Sequence, residues 1–274
     1  MVNSKKTNWT LTLLLCLGAL TIIFPLYLTI TIAVKSPVEM AQSIWSIPTT
    51  IHWENFTKAI EMTNFFNAFK NSATVTVFAV SLTILTNSMV AYAIARNMHL
   101  RFFKFLYYYF VSALFIPFPI LMLPLVKQMS SWGLDNIVGL IFLYVVFGLA
   151  FNVFLYVGYI KSIPRELEEA AIMDGAGTWK IFWKVIFPLL SPMNATIAIL
   201  TCLKAWNDFL LPLIILVDKD DATLPLVQYV FQSEFSANFN LAFASYLLAL
   251  LPMVIVYLFA QNWIIGGLTR GAVK

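Results

Sequence analysis

Lys204 and Asp208 interrupt a stretch from Ser191 to Val217 that is otherwise apolar. A charge in hydrocarbon is costly and marks a functional position unless a partner explains it. On a continuous helix their i,i+4 spacing sets both on one face, where they could neutralise each other and only position their helix. They could equally border a path for a solute, with Asn207 beside them and Trp206 as a stacking platform. Asn87, Ser88 and Asn152 are softer candidates, since amides and hydroxyls inside a membrane often only bridge helices. Catalytic chemistry is absent by comparison. His52 and His99 lie far apart in the chain and do not suggest a metal site. No Gly-x4-Gly-Lys-Ser/Thr loop is present to cradle a nucleotide. The expectation is therefore no enzymatic activity, and no metal or cofactor bound by this chain.

The elements that must hold these residues follow from composition. Of 274 residues, 61% are hydrophobic and 11% charged, with mean hydropathy +0.84. Soluble domains carry about a quarter charged residues. No charge falls between Lys6 and Lys35, Lys70 and Arg96, Lys104 and Lys127, Asp135 and Lys161, or Glu234 and Arg270. Each gap exceeds the roughly 20 residues that a helix needs to cross hydrocarbon. With the Ser191–Val217 block they predict an all-α integral membrane protein of six transmembrane helices. A transmembrane barrel would show short alternating segments instead. The first block is too long for a signal-peptide core and reads as span one. Cys16 and Cys202 lie inside spans, which argues against a disulfide framework. Pro117, Pro119 and Pro124 break up span three.

Six spans divide the polar segments into two sets. Eleven of the 17 Lys and Arg fall in the set holding both termini, Arg96 to Lys104, and Lys161 to Pro188. Positive residues accumulate on the cytoplasmic side, so both termini are expected there. The opposite segment from Lys35 to Lys70 is rich in aromatic residues suited to an interface, among them Trp45, Trp53, Phe65, Phe66 and Phe69. No linker or second soluble domain is visible, so residues 1–274 read as one membrane domain. The loop at 161–190 is its largest cytoplasmic feature.

That loop, with its flanks, reads KSIPRELEEAAIMDGAGTWKIFWKVIFPLLSP. Pro164 suits a first helical turn, and Glu166, Glu168 and Glu169 suit the positive end of a helix dipole. Asp174, Gly175, Ala176 and Gly177 stop the helix, with Gly175 expected at positive φ. A second helix runs from Thr178 towards Phe187, carrying Lys180 and Lys184. Pro188 and Pro192 mark the return to the membrane. By itself the pattern fits an amphipathic hairpin on lipid headgroups as well as a docking device.

Glu169, Ala170 and Ala171, with Gly175 and Pro188 at fixed spacing, resemble the loop signature of bacterial binding-protein-dependent importers, Glu-Ala-Ala-x3-Gly-x9-Ile-x-Leu-Pro. Val185 and Phe187 stand for its Ile and Leu. Residues 87–96 (NSMVAYAIAR), 205–213 (AWNDFLLPL) and 266–274 (GGLTRGAVK) are similar to carbohydrate permeases of that family, of the maltose-type second-permease and multiple-sugar kind. The resemblance implies that Glu169, Ala170, Ala171, Ile172, Met173, Asp174 and Gly175 form a coupling helix seated in a cleft of an ATPase. It implies a homologous second permease, two ABC ATPase subunits holding ATP and Mg, and an extracytoplasmic sugar-binding protein. The expected cargo is a sugar, oligosaccharide or multiple-sugar in kind, and the expected place the bacterial cytoplasmic membrane. Residues 219–240 become a docking or substrate-guarding segment. The basic residues are spread over several loops and give no nucleic-acid footprint. The alternative is an importer of the same class for a different small solute. A secondary carrier would show an inverted repeat, and a membrane enzyme an acid/base or metal constellation; neither is visible.

Overall fold

The computed structural model describes residues 9–229, 231 and 238–272, with side chains to 259 and at 261. Among them every regular element is helical. Four helices are long and apolar enough to cross a membrane unaided: α1 (Trp9–Val34), α4 (Phe65–Arg96), α7 (Ile137–Lys161) and the stretch Phe239–Phe259 of α13 (Phe239–Ala272). The remaining two expected spans are each broken. Two bent pairs bring the total to six if each pair is one span.

The breaks have local causes. Between α5 (Arg101–Ser112), extended by a 3-10 turn to Phe115, and α6 (Phe118–Ser131) the direction changes by 106°. Ile116 there is extended, at φ −88° and ψ 115°, because the ring of Pro117 excludes the helical region for the residue before it. The fifth block holds α10 (Ser191–Asn207) and α11 (Leu210–Ile215), separated by Asp208 at φ −74° and ψ 124°. Before it lies a helical run, α9 (Thr178–Leu189), at 74° to α10. Its middle, Phe182–Ile186, is wound as a π-helix, with Phe187 N–H donating to the carbonyl of Phe182. Pro188 lacks an N–H and would press on the carbonyl one turn back, and the wider turn ahead of it absorbs both defects.

Contacts group the chain into two compact units, Met1–Phe66 with Val227–Val254, and Asn67–Leu226 with Ile255–Lys274. In the first, α1 is buried only at Thr31, Ile32 and Ala33, near its end. The carbonyls left open there are taken up by two amides. Asn55 of α3 (Glu54–Met62) donates to Ala33 and Lys35, both at 2.9 Å, and Asn240 of α13 to Ile32 and Lys35 at 3.2 and 2.7 Å. Lys35 is fully buried, its Nζ donating to the carbonyls of Ser43 and Ile44 at 3.0 and 2.8 Å. These lie just past α2 (Pro37–Gln42), whose Ser36 and Glu39 form a capping box. Trp45 stacks on Phe24, and Trp45, Trp53 and Phe66 are exposed while Phe65 is buried.

The second unit contains two apolar clusters. One joins Ala91 and Ile94 of α4, Tyr156 and Ile160 of α7, Phe182 and Ile186 of α9, and Ile197 of α10. The other joins Val75 and Ala79 of α4, Leu140 and Tyr144 of α7, and Leu211 and Ile215 of α11. Helix α7 starts on Asn136, whose Oδ1 accepts from Val138 and Gly139 N–H at 3.0 and 3.2 Å. A Cβ at Gly139 would lie 1.8 Å from the carbonyl oxygen of Leu134, so this close approach needs glycine.

Candidate functional sites

The segment at 161–190 forms a hairpin. Its first helix, α8 (Glu166–Met173), carries Glu166, Glu168 and Glu169 in its first turn, where the free N–H groups favour anions. It ends in a double-bonded cap: Gly175 N–H donates to Ile172 and Ala176 N–H to Ala171, each at 2.9 Å. This is the geometry of a left-handed C-terminal residue, and Gly175 has φ +78° as expected. Nothing lies within 4 Å of a Cβ built there, so the demand for glycine is conformational and not one of space. Glu169, Ala170, Ile172, Met173, Asp174 and Gly175 are exposed, Met173 to 86%. Ala171 is half-buried and packs with Ala176 against the Tyr156–Ile186 cluster. The hairpin thus has an exposed face of small and flexible apolar side chains and a back face held by the chain.

The back face also has a polar anchor that sequence reading passed over. Glu168 accepts from Tyr92 Oη at 2.7 Å and pairs with the Arg96 guanidinium at 2.5 Å. Arg96 also donates to the carbonyl of Ile163 at 3.2 Å, and Arg165 to the carbonyl of Arg96 at 3.3 Å. The i,i+4 spacing of Tyr92 and Arg96 at the end of α4 was a usable signal. Their partner lies some seventy residues onward, beyond what a local pattern can address.

Lys204, Asn207 and Asp208 come together on a cleft of about 750 Å³, within the usual range for small-molecule sites of about 300–1,000 Å³. Tyr109, Phe110, Phe118 and Phe147 supply aromatic surface. Lys204 and Asp208 do not form the neutralising pair that their spacing allowed as one of two readings. Helix α10 ends at Asn207, so Asp208 is not on the helix of Lys204. The ion pairs among the described residues are His52–Glu54, Lys58–Glu54 and Arg96–Glu168. Asp208 instead caps α11, its Oδ1 accepting from Leu210 and Leu211 N–H at 3.0 and 3.3 Å, and its Oδ2 accepts from Tyr144 Oη at 3.2 Å. Aspartate competes well for nearby backbone N–H groups, and Pro212 then tolerates a first helical turn. That competition breaks the helix which the spacing argument assumed.

The other candidates lie elsewhere. Trp206 is buried edge-to-face with Phe69 at 5.9 Å and does not line the cleft. Asn87 and Asn152 are buried near Gly148, whose built Cβ would lie 3.7 and 3.0 Å from their Nδ2 atoms. Of the segment at 219–240, the start is tied to α4: Asn67 and Asn71 donate to the carbonyl of Asp220, both at 2.6 Å, and Ser72 Oγ accepts from the N–H of Leu224, which opens α12 (Leu224–Gln228). Residues 230 and 232–237 lie outside the described residues, as do the side chains of the tail at 266–274.

Residues 87–270 match the family described as binding-protein-dependent transport system inner membrane component. The chain is 40% identical to the multiple sugar-binding transport system permease protein MsmG of Streptococcus mutans, over 95% of each chain. It is 36% identical to the melibiose/raffinose/stachyose import permease protein MelC of Bacillus subtilis, over 98% of each. A crystal structure of a bacterial ABC transporter involved in import of the acidic polysaccharide alginate superposes with a TM-score of 0.81. The identity there is 25%, over 92% of this chain and 94% of that one.

Proposed function

The chain belongs to the inner membrane components of binding-protein-dependent transport systems, and from that premise we propose that it forms half of a carbohydrate path in an ATP-driven importer. It is a multi-pass component of the bacterial cytoplasmic membrane, a transporter and not a catalyst. The observation that carries the reading is the exposed α8 face from Glu169 to Gly175, rigidly capped and joined to the end of α4. This face is the coupling surface. The small side chain of Ala170 permits close approach, and Ile172 and Met173 adapt to an apolar cleft on an ATPase. Two ATPase subunits bind and hydrolyse ATP with Mg. A homologous second permease completes the path, and an extracytoplasmic binding protein delivers the cargo.

The named relatives handle multiple sugars, melibiose, raffinose, stachyose and alginate, which supports a sugar as cargo here. The cleft chemistry suits one. Aromatic faces on Tyr109, Phe110 and Phe118 cover the C–H faces of a pyranose, while Lys204, Asn207 and Asp208 meet hydroxyls. Solubilised and affinity-purified, the chain should bring an ATPase and a second permease with it. Reconstituted with its binding protein, the complex should accumulate an oligosaccharide in an ATP-dependent way. Purification without any ATPase would overturn the reading, and accumulation of a non-sugar solute alone would replace the cargo.

A further inference from the structure

Helix α8 buries none of its eight residues. Half-buried Ala171 supplies little apolar area, so an eight-residue helix of this kind has no hydrophobic reason to stay where it is. What ties it to a long helix is polar. Arg96 is the last residue of α4, and Tyr92 stands one turn before it. Glu168, in the first turn of α8, reaches both of them, and the exchange is reciprocal. Arg96 donates to the carbonyl of Ile163, and Arg165 donates to the carbonyl of Arg96, which α4 leaves open at its end. The side chains of Arg96 and Glu168 are each only 12% exposed. At that burial an ion pair escapes most solvent screening, and loss of either partner leaves a buried charge uncompensated. Such a joint holds one geometry or breaks; it does not stretch.

Resting on the reading of α8 as the coupling helix, we infer that Tyr92, Arg96 and Glu168 are positioning residues that make α8 and the end of α4 move as one body. Displacement of α8 by the ATPases is then delivered directly to a 32-residue membrane-crossing helix. It is not taken up by the loop at 162–165. Tyr92 adds direction, because its ring packs on Phe182 of α9 at 5.4 Å and so gathers the second hairpin helix into the same body.

The experiment uses the complex isolated with its native partners, with Cys16 and Cys202 replaced and spin labels placed on cysteines at His99 and at Glu166, which lies on α8 outside the coupling face. Both positions are exposed and flank the joint. Distances are measured without nucleotide and with ATP plus vanadate. In the otherwise wild-type chain the distance should be the same in both states. Arg96→Met and Glu168→Gln should let it shift or broaden with ATP plus vanadate, and Tyr92→Phe should do so to a smaller degree. If either charge variant fails to assemble, Tyr92→Phe, which keeps the ion pair, still reports the broadening. A nucleotide-driven shift in the wild-type chain overturns the inference, and so does an unchanged distance in every assembled variant. Recovery of the wild-type chain without an ATPase would sink the coupling-helix reading and this inference together, whereas an assembled complex whose labels separate would sink this inference alone.

Discussion

Gly175 and Asp208 illustrate how one residue type can be decided by backbone alone or by surroundings alone. Gly175 sits at φ +78° with open space around its Cβ position. A side chain there meets no neighbour but costs about 1–2 kcal/mol of left-handed strain. Gly175→Val should insert normally, displace the α8 cap, and lower retention of the ATPase or its sugar-stimulated hydrolysis. Glu169→Lys, which puts a cation at a helix N-terminus, should have the same effect to a smaller degree. Pull-down and ATPase rate in vesicles check both, and wild-type coupling in both would make the hairpin a surface feature. Asp208 uses one oxygen as a cap and the other for Tyr144. Asp208→Asn keeps an acceptor for the cap, so assembly should hold while transport falls. Asp208→Ala loses the cap as well, about 1 kcal/mol, and should reduce thermal stability in detergent. Equal transport by Asn and wild type would remove Asp208 from the path.

Among the elements, short α2 shows how a loop is held without a core. Glu39 is half-buried, and its carboxyl is held down at about 2. The Thr49 hydroxyl contributes most, followed by the N–H groups of Ser36 and Thr49. Because the folded value lies below the ordinary one of 4.5, the carboxylate's contribution is fully present above about pH 4.5. It is lost as pH falls through about 2. Hydrogen exchange in the peptide covering residues 36–50 should therefore match its neutral-pH protection factor at pH 5 and fall clearly below it near pH 2. Thr49→Val should move that loss to higher pH; an unchanged profile would mean that the capping box does not order the loop. The broken spans belong to the same scale. The Pro117 break was legible, since proline acts on the residue before it. The Asp208 break was not, because the same residue reads as a helical charge until its side chain is seen bonding to Leu210 and Leu211.

For the whole molecule, orientation carries the functional argument, since an ATPase can reach α8 only from the cytoplasm. The basic residues cluster on the side of Arg96–Lys104 and Lys161–Pro188, and the positive-inside rule assigns that side to the cytoplasm. With native cysteines replaced, a cysteine at His99 should react with an impermeant maleimide only in inverted vesicles, and one at Lys58 only in intact cells. The opposite pattern would place the hairpin outside and end the coupling argument.

The amino-acid sequence by itself determined the helical class, the apolar blocks, the hairpin at 161–190 and the positive φ of Gly175. Each of these is a property of neighbouring residues: hydropathy summed over one helix length, or the conformational freedom of a single Cα. It also carried a family likeness, because the loop signature is short and contiguous. Tertiary structure alone decided which candidates share a site. Asn207 and Trp206 are adjacent in sequence, yet one lines the cleft and the other packs on Phe69. Glu168 has two acidic neighbours in the same helical turn, and only packing against α4 selects it as the partner of Tyr92 and Arg96. Lys35 bounds the first apolar block in the sequence, and only the fold shows it buried with its ammonium on two carbonyls. Such choices depend on where other helices arrive, and burial and hydrogen-bond satisfaction are settled only when they do.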